Sequence, residues 1–181
     1  TLGVNAANTM TGTGVDSGST VTASVTTGGP TMTLAAAGTL TVSLDSSSPS
    51  LQLAAAGTDG VTLGVLKLRA TNEEIRVDKL ALQLASSTAS DSGDLGTIMV
   101  YDGATLLGSA TIEGTSATTT TVTLNQSTFT VPKDTDVKLT IKANLSDIGP
   151  SSPGQAGALV GIDWDGNPLV PGNNRAIGDA S

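Results

Sequence analysis

The residues Asp163-Trp164-Asp165-Gly166-Asn167 come nearest, by type and spacing, to a site for chemistry. Oxygen-bearing side chains recur at alternate positions and a glycine permits a sharp turn. A calcium loop opens in this way, because the ion takes about six to eight hard oxygen ligands at short range. Asp163, Asp165 and Asn167 are therefore candidate ligands for Ca2+, in a chain that otherwise requires no cofactor. Asn174 stands where a bidentate Glu would close such a loop, so the match is partial, and an Asp-Gly turn following a strand is the plainer alternative. Trp164 shares an alternating face with Val160 and Ile162, which suits a core or interface anchor better than a sugar-stacking platform.

Other chemistry is mostly excluded by residue type. The chain has no His and no Cys, which removes Ser-His-Asp and Cys-His nucleophiles and the usual zinc sites. Paired carboxylates exist in Asp134 with Asp136 and in Glu73 with Glu74. Glycosidases use such pairs across grooves lined by aromatic rings, and Trp164, Tyr101 and Phe129 are too few to line one. No enzyme is expected. Asn125-Gln126-Ser127 and Asn144-Leu145-Ser146 are glycosylation sequons, with Asn125 and Asn144 as the acceptors, while Thr-rich faces and Ser-Pro loops could instead carry O-linked sugar. Lys67, Arg69, Glu73, Glu74, Arg76, Asp78 and Lys79 flank one hairpin and read as a solvated strand face with cross-strand ion pairs, or else as a subunit contact.

The elements that must position these residues are strands. Helical periodicity is nearly absent, and short alternating runs recur between turn residues. Strands are expected at Val21–Thr26, Thr31–Ala35, Thr39–Leu44, Leu51–Ala54, Val61–Ala70, Ile75–Leu84, Ile98–Tyr101, Leu106–Ile112, Thr120–Leu124, Val137–Ala143 and Leu159–Trp164. This spacing predicts an all-β fold, a sandwich or barrel. In Val61–Ala70 the apolar set shifts from Val61, Leu63 and Val65 to Leu66, Leu68 and Ala70. In Ile75–Leu84 it shifts from Ile75 and Val77 to Leu80, Leu82 and Leu84. Side chains alternate faces with period two, so each shift implies a bulge or a strand that changes sheet, and both suit a sandwich. Tyr101-Asp102-Gly103-Ala104 signals a hairpin, and Asn72-Glu73-Glu74 a tight connection.

Charged residues are 13% of the chain and Trp164, Tyr101 and Phe129 are its only aromatics, so its core must come from Val, Leu, Ile and Ala. The net charge of −8 argues against a nucleic-acid partner, and no apolar run is long enough to span a bilayer. The chain begins at Thr1 without Met and ends in the loop-like Gly178-Asp179-Ala180-Ser181, which reads as a processed product. Such a Thr/Ser/Gly-rich, acidic, Cys-free chain is expected at the prokaryotic cell surface or outside it.

Leu34-Ala35-Ala36-Ala37-Gly38-Thr39 recurs as Leu53-Ala54-Ala55-Ala56-Gly57-Thr58, which reads either as low complexity or as a duplicated strand-turn-strand unit. The expected organisation is an N-terminal extended arm over residues 1–37, a sandwich over 38–167 and a loop or tail over 168–181. The segments TLTVSLDSSSPS (39–50), VTLGVLKLRATNEEIRVDKLALQL (61–84), IMVYDGATLLGSATI (98–112), FTVPKDTDVKLTIKANLSDIG (129–149) and ALVGIDWDGN (158–167) resemble modules of large secreted surface proteins, of the surface-layer or filament type, from uncultivated bacterial lineages. The resemblance is carried by A-T-N-E, Y-D-G-A-T and V-P-K-D-T in that order. It implies an immunoglobulin-like antiparallel β-sandwich and a cell-surface location, and brings no catalytic signature.

Between Asp16 and Asp45 there is no charged side chain. An uncharged, β-prone run of this length is an aggregation hazard unless its backbone is paired. If the arm adds as a strand to a neighbouring subunit, Val21, Ala23 and Val25, or Met32 and Leu34, would fill apolar positions there. Repetition of such a contact gives a homopolymer. A self-assembling structural subunit of an extracellular filament or surface layer is the leading expectation. A calcium-binding adhesin and a spacer module of a longer surface protein are the alternatives.

Overall fold

The computed structural model describes residues 10–13, 20–23, 38–85, 91–113, 118–124, 129–166 and 174–178. The chain divides into two compact units, Thr1–Ala36 and Ala37–Ser181. In the first, β1 (Met10–Thr13) and β2 (Thr20–Ala23) pair antiparallel, with Met10 opposite Ala23 and Thr13 opposite Thr20. Part of the Thr-rich run thus satisfies its backbone locally. Val21 and Ala23 lie on β2. Val25, Met32, Leu34 and the strand expected at 31–35 lie outside the described residues.

The second unit is an antiparallel β-sandwich. Its strands are β3 (Thr39–Leu44), β4 (Val61–Thr71), β5 (Ile75–Leu84), β6 (Leu95–Asp102), β7 (Thr105–Ala110), β8 (Thr119–Thr123), β9 (Thr130–Val131), β10 (Asp136–Leu145), β11 (Ile162–Trp164) and β12 (Arg175–Gly178). One sheet has the order β3-β4-β10-β6-β7. The other is built around β5. Because β8 and β11 both pair with Leu82 and Gln83, and β9 and β12 both pair with Ile75 and Arg76, β8 and β9 flank one side of β5 and β11 and β12 the other.

The phase shift in β5 coincides with a register slip, and the slip in β4 falls two residues before the shift at Val65/Leu66. Opposite β10, the ladder of β4 jumps from Gly64 to Thr62, so the slip falls at Leu63. Opposite β12, β5 jumps from Lys79 to Val77 and leaves Asp78 unpaired in that ladder. Each is a bulge, which lets one strand bury Ile75 and Val77 before it and Leu80, Leu82 and Leu84 after it. The two turns also form as their residues predict. Asn72 adopts φ 74 between β4 and β5, a left-handed conformation that Asn tolerates, and Gly103 adopts φ 56 between β6 and β7.

Aliphatic residues fill the space between the sheets. Leu68, Leu82, Ile98, Val100, Val122, Val131 and Leu139 are fully buried, and Phe129 is the largest side chain among them. Each buried aliphatic side chain contributes about 1.5–3 kcal/mol, so this core depends on many modest layers. Along one side the sheets meet closely at Gly108 of β7, where any Cβ would collide with the Thr123 carbonyl of β8. Along the other side, a crevice of about 100 Å³ lies between β3 and β11/β12, lined by Leu40, Val42 and Trp164.

The sequence reading needs two corrections. Leu51–Ala54 alternates like a strand but pairs with no described strand. Alternation selects a face, and it does not supply a partner. Residues 168–181, read as a loop or tail, contribute β12 to the sandwich.

Candidate functional site

The Asp163–Gly166 turn follows β11, which pairs with Leu82–Leu84 of β5. Asp163 faces solvent, whereas Asp165 is buried and its N–H donates to the Ala81 carbonyl at 3.0 Å, continuing the β5 contact. Asn174 closes this turn, by hydrogen bonds. Its Oδ1 accepts from Ala81 N–H at 2.8 Å and from Trp164 Nε1–H at 3.0 Å, and its Nδ2 donates to the Asp165 carbonyl at 2.5 Å. The residue in the position of a calcium loop's closing Glu is therefore a clasp between β5, the turn and the start of β12. Among the described residues, no three acidic side chains come together in a geometry that would hold a metal ion. Asn167 lies outside the described residues. Trp164 is half-buried and packs against the core, as an anchor would.

The remaining sequence candidates have structural partners. Asp136 is ion-paired across the β4/β10 ladder, at 2.9 Å from Arg69 and 3.9 Å from Lys67. Asp136 holds the Arg69 guanidinium's pKa above its ordinary value, first by hydrogen bonding and then by charge. Asp134 sits in the preceding turn with φ 56. Asp78, at the β5 bulge, is buried between Arg76 Nε at 3.0 Å and Arg175 Nε at 3.5 Å, which ties β12 to the central strand. Asn144 lies within β10 and its Oδ1 accepts from Gly60 N–H at 2.9 Å. Asn125 lies outside the described residues.

Two poles of the sandwich differ in character. At the near pole, the Glu73 carboxylate between β4 and β5 accepts from Gly38 N–H at 2.7 Å, and a Cβ at either Gly38 or Gly178 would overlap it. The first described residue of this unit and the end of its last described strand therefore lie beside one side chain. At the far pole, the strands β4, β10 and β6 meet as Ala143 pairs with Val61 and Leu145 with Leu95. Here residues 50–56 bridge β3 to β4. They are held before by Ser48, whose hydroxyl bonds both Val65 N–H and Val65 carbonyl, and after by Gly57 N–H donating to the Ser146 carbonyl. Beneath the bridge is a groove of about 540 Å³ with Val61, Leu63, Leu145 and Val160 among its lining residues. Leu51 and Leu53 beside it are 87% and 103% exposed, so no described residue covers them. The sequence reading missed this groove. Its signal in the sequence is the alternation at Leu51 and Leu53.

No family model, curated protein or solved structure matches the chain.

Proposed function

We propose that the chain is a structural subunit of an extracellular filament or surface layer, assembled by addition of its N-terminal arm to a neighbouring subunit. The carrying observation is the near pole. The sandwich starts at Gly38 and its last described strand stops at Gly178, both against Glu73, and the uncharged run joins the sandwich there. A sandwich joined to its arm at one pole leaves its other pole for a partner.

The arm has its own compact unit, and β1 with β2 is a two-stranded sheet, which is marginal alone and gains stability from further strands. The absence of charge between Asp16 and Asp45 lets this region pack without desolvating an ion. The Cys-free, acidic, Thr-rich composition supports an extracellular setting. Deleting residues 1–37 is expected to leave monomers by light scattering and negative-stain microscopy. Filaments or lattices that persist after the deletion overturn the proposal.

A further inference from the structure

Resting on that reading, we infer that the acceptor is the groove at the far pole, and that its occupant is the segment of residues 24–37 from a second copy of the chain. Charge is the first argument. The one ionisable residue lining the groove is Asp94, and both its carboxylate oxygens are used internally, by Gln155 N–H at 2.7 Å and Asp91 N–H at 3.1 Å. The groove offers no cation, and its one carboxylate is already held by two backbone N–H groups, while the occupant carries no charge. An anionic peptide would lose solvation there without a counter-ion.

Residues 31–39 read TMTLAAAGT and residues 50–58 read SLQLAAAGT, so the bridge over the groove repeats the segment proposed to enter it. Met32 and Leu34 alternate as Leu51 and Leu53 do. Among the described residues, no backbone–backbone hydrogen bond reaches residues 50–56, so a strand laid beside them finds both unpaired backbone and matching apolar side chains. Size also separates the two openings, since the crevice of about 100 Å³ between β3 and β12 admits little more than a side chain, whereas about 540 Å³ admits a strand's apolar face.

Polarity is the third argument. The arm joins the sandwich at the near pole and the groove is at the far one, so each copy gives at one end and receives at the other. Such a heterologous contact does not close on itself and propagates head to tail.

The test uses the full-length chain, whose lack of cysteine makes introduced thiols unique. Met32→Cys with Leu53→Cys, treated with a short bis-maleimide, is expected to give a ladder of covalent oligomers. Leu51→Asp with Leu53→Asp is expected to keep the monomer's circular dichroism, because both side chains are exposed, and to raise the concentration needed for assembly by about a hundredfold. Leu106→Asp, an exposed leucine on β7 away from the groove, is expected to change neither. A cross-link confined to the monomer shows the arm in its own groove and overturns the second-copy occupant. Assembly that needs residues 1–37 but survives the double aspartate variant overturns the groove and leaves the proposed function standing. Assembly that is lost equally with Leu106→Asp overturns the groove's specificity.

Discussion

Replacing Asn174 by alanine removes three hydrogen bonds at one stroke. Ala81 N–H and Trp164 Nε1–H lose their common acceptor, and the Asp165 carbonyl loses a donor. Ala81 is 1% exposed and Asp165 is buried, so water reaches these groups poorly. Leaving a buried polar group unpaired costs about 1–3 kcal/mol, and with partial rescue at the half-buried indole the variant should lose about 2–4 kcal/mol. Urea unfolding followed by fluorescence measures this directly, because Trp164 is the chain's only tryptophan. The midpoint should fall, and the native emission should shift to the red as the indole N–H turns to water. A loss below about 0.5 kcal/mol with unshifted emission would refute the assignment of Asn174 as the clasp and place the hold on β12 elsewhere, with Arg175 and Asp78 the next candidates.

Two further outcomes follow from the same structure. Asp45 accepts from Ser47 Oγ, Lys138 Nζ and Ser47 N–H, which together hold its carboxyl well below the ordinary 3.8. A depressed folded-state pKa stabilises the protein above the unfolded value, and the benefit is lost as pH falls through the folded one. The melting-temperature gap between the native chain and Asp45→Asn should therefore be constant at neutral pH and narrow below pH 3.8, as followed by circular dichroism across an acid series. Because Asn174 already ties down the Asp165 carbonyl, millimolar calcium is expected to leave the melting temperature unchanged. A rise that Asp163→Asn or Asp165→Asn abolishes would instead establish an ion in this turn.

The parts of the fold visible in the sequence are those set by local alternation. The expected limits of β3 and β5 match the structure, and the shifts at Val65/Leu66 and Val77/Leu80 announced the bulges near Leu63 and at Asp78. A period-two pattern with a slip has few other solutions. What stayed hidden depends on distant partners. β12 is four residues long and β9 two, too short for a pattern to register. Asn174 reaches Ala81 across 93 positions, and nothing in a Gly- and Asn-rich stretch distinguishes it from a turn residue. Leu51 and Leu53 alternate as strand residues do, yet they form no described strand, because alternation selects a face without supplying a partner. The site fared similarly, since Asp163 and Asp165 stand where a ligand spacing would put them, but burial sends one inward while the other faces solvent.

The distribution of charge links these observations. The exposed face of β4 and β10 carries Lys67, Arg69, Asp136 and Lys138, most of them paired across strands, and this is a usual defence of sheet surfaces against unwanted pairing. The groove at the far pole lacks that defence, and so does the run between Asp16 and Asp45. Two undefended surfaces on one chain would be a liability if they met arbitrary partners. They are a consistent design if they meet each other, because the contact then covers Leu51 and Leu53 and pairs the arm in a single step. Such a contact owes little to ionic attraction, so salt should not weaken it as it weakens the exposed Arg69–Asp136 pair. In the proposed assembly, a chain with three aromatic residues and thin aliphatic layers would gain stability by burying these surfaces.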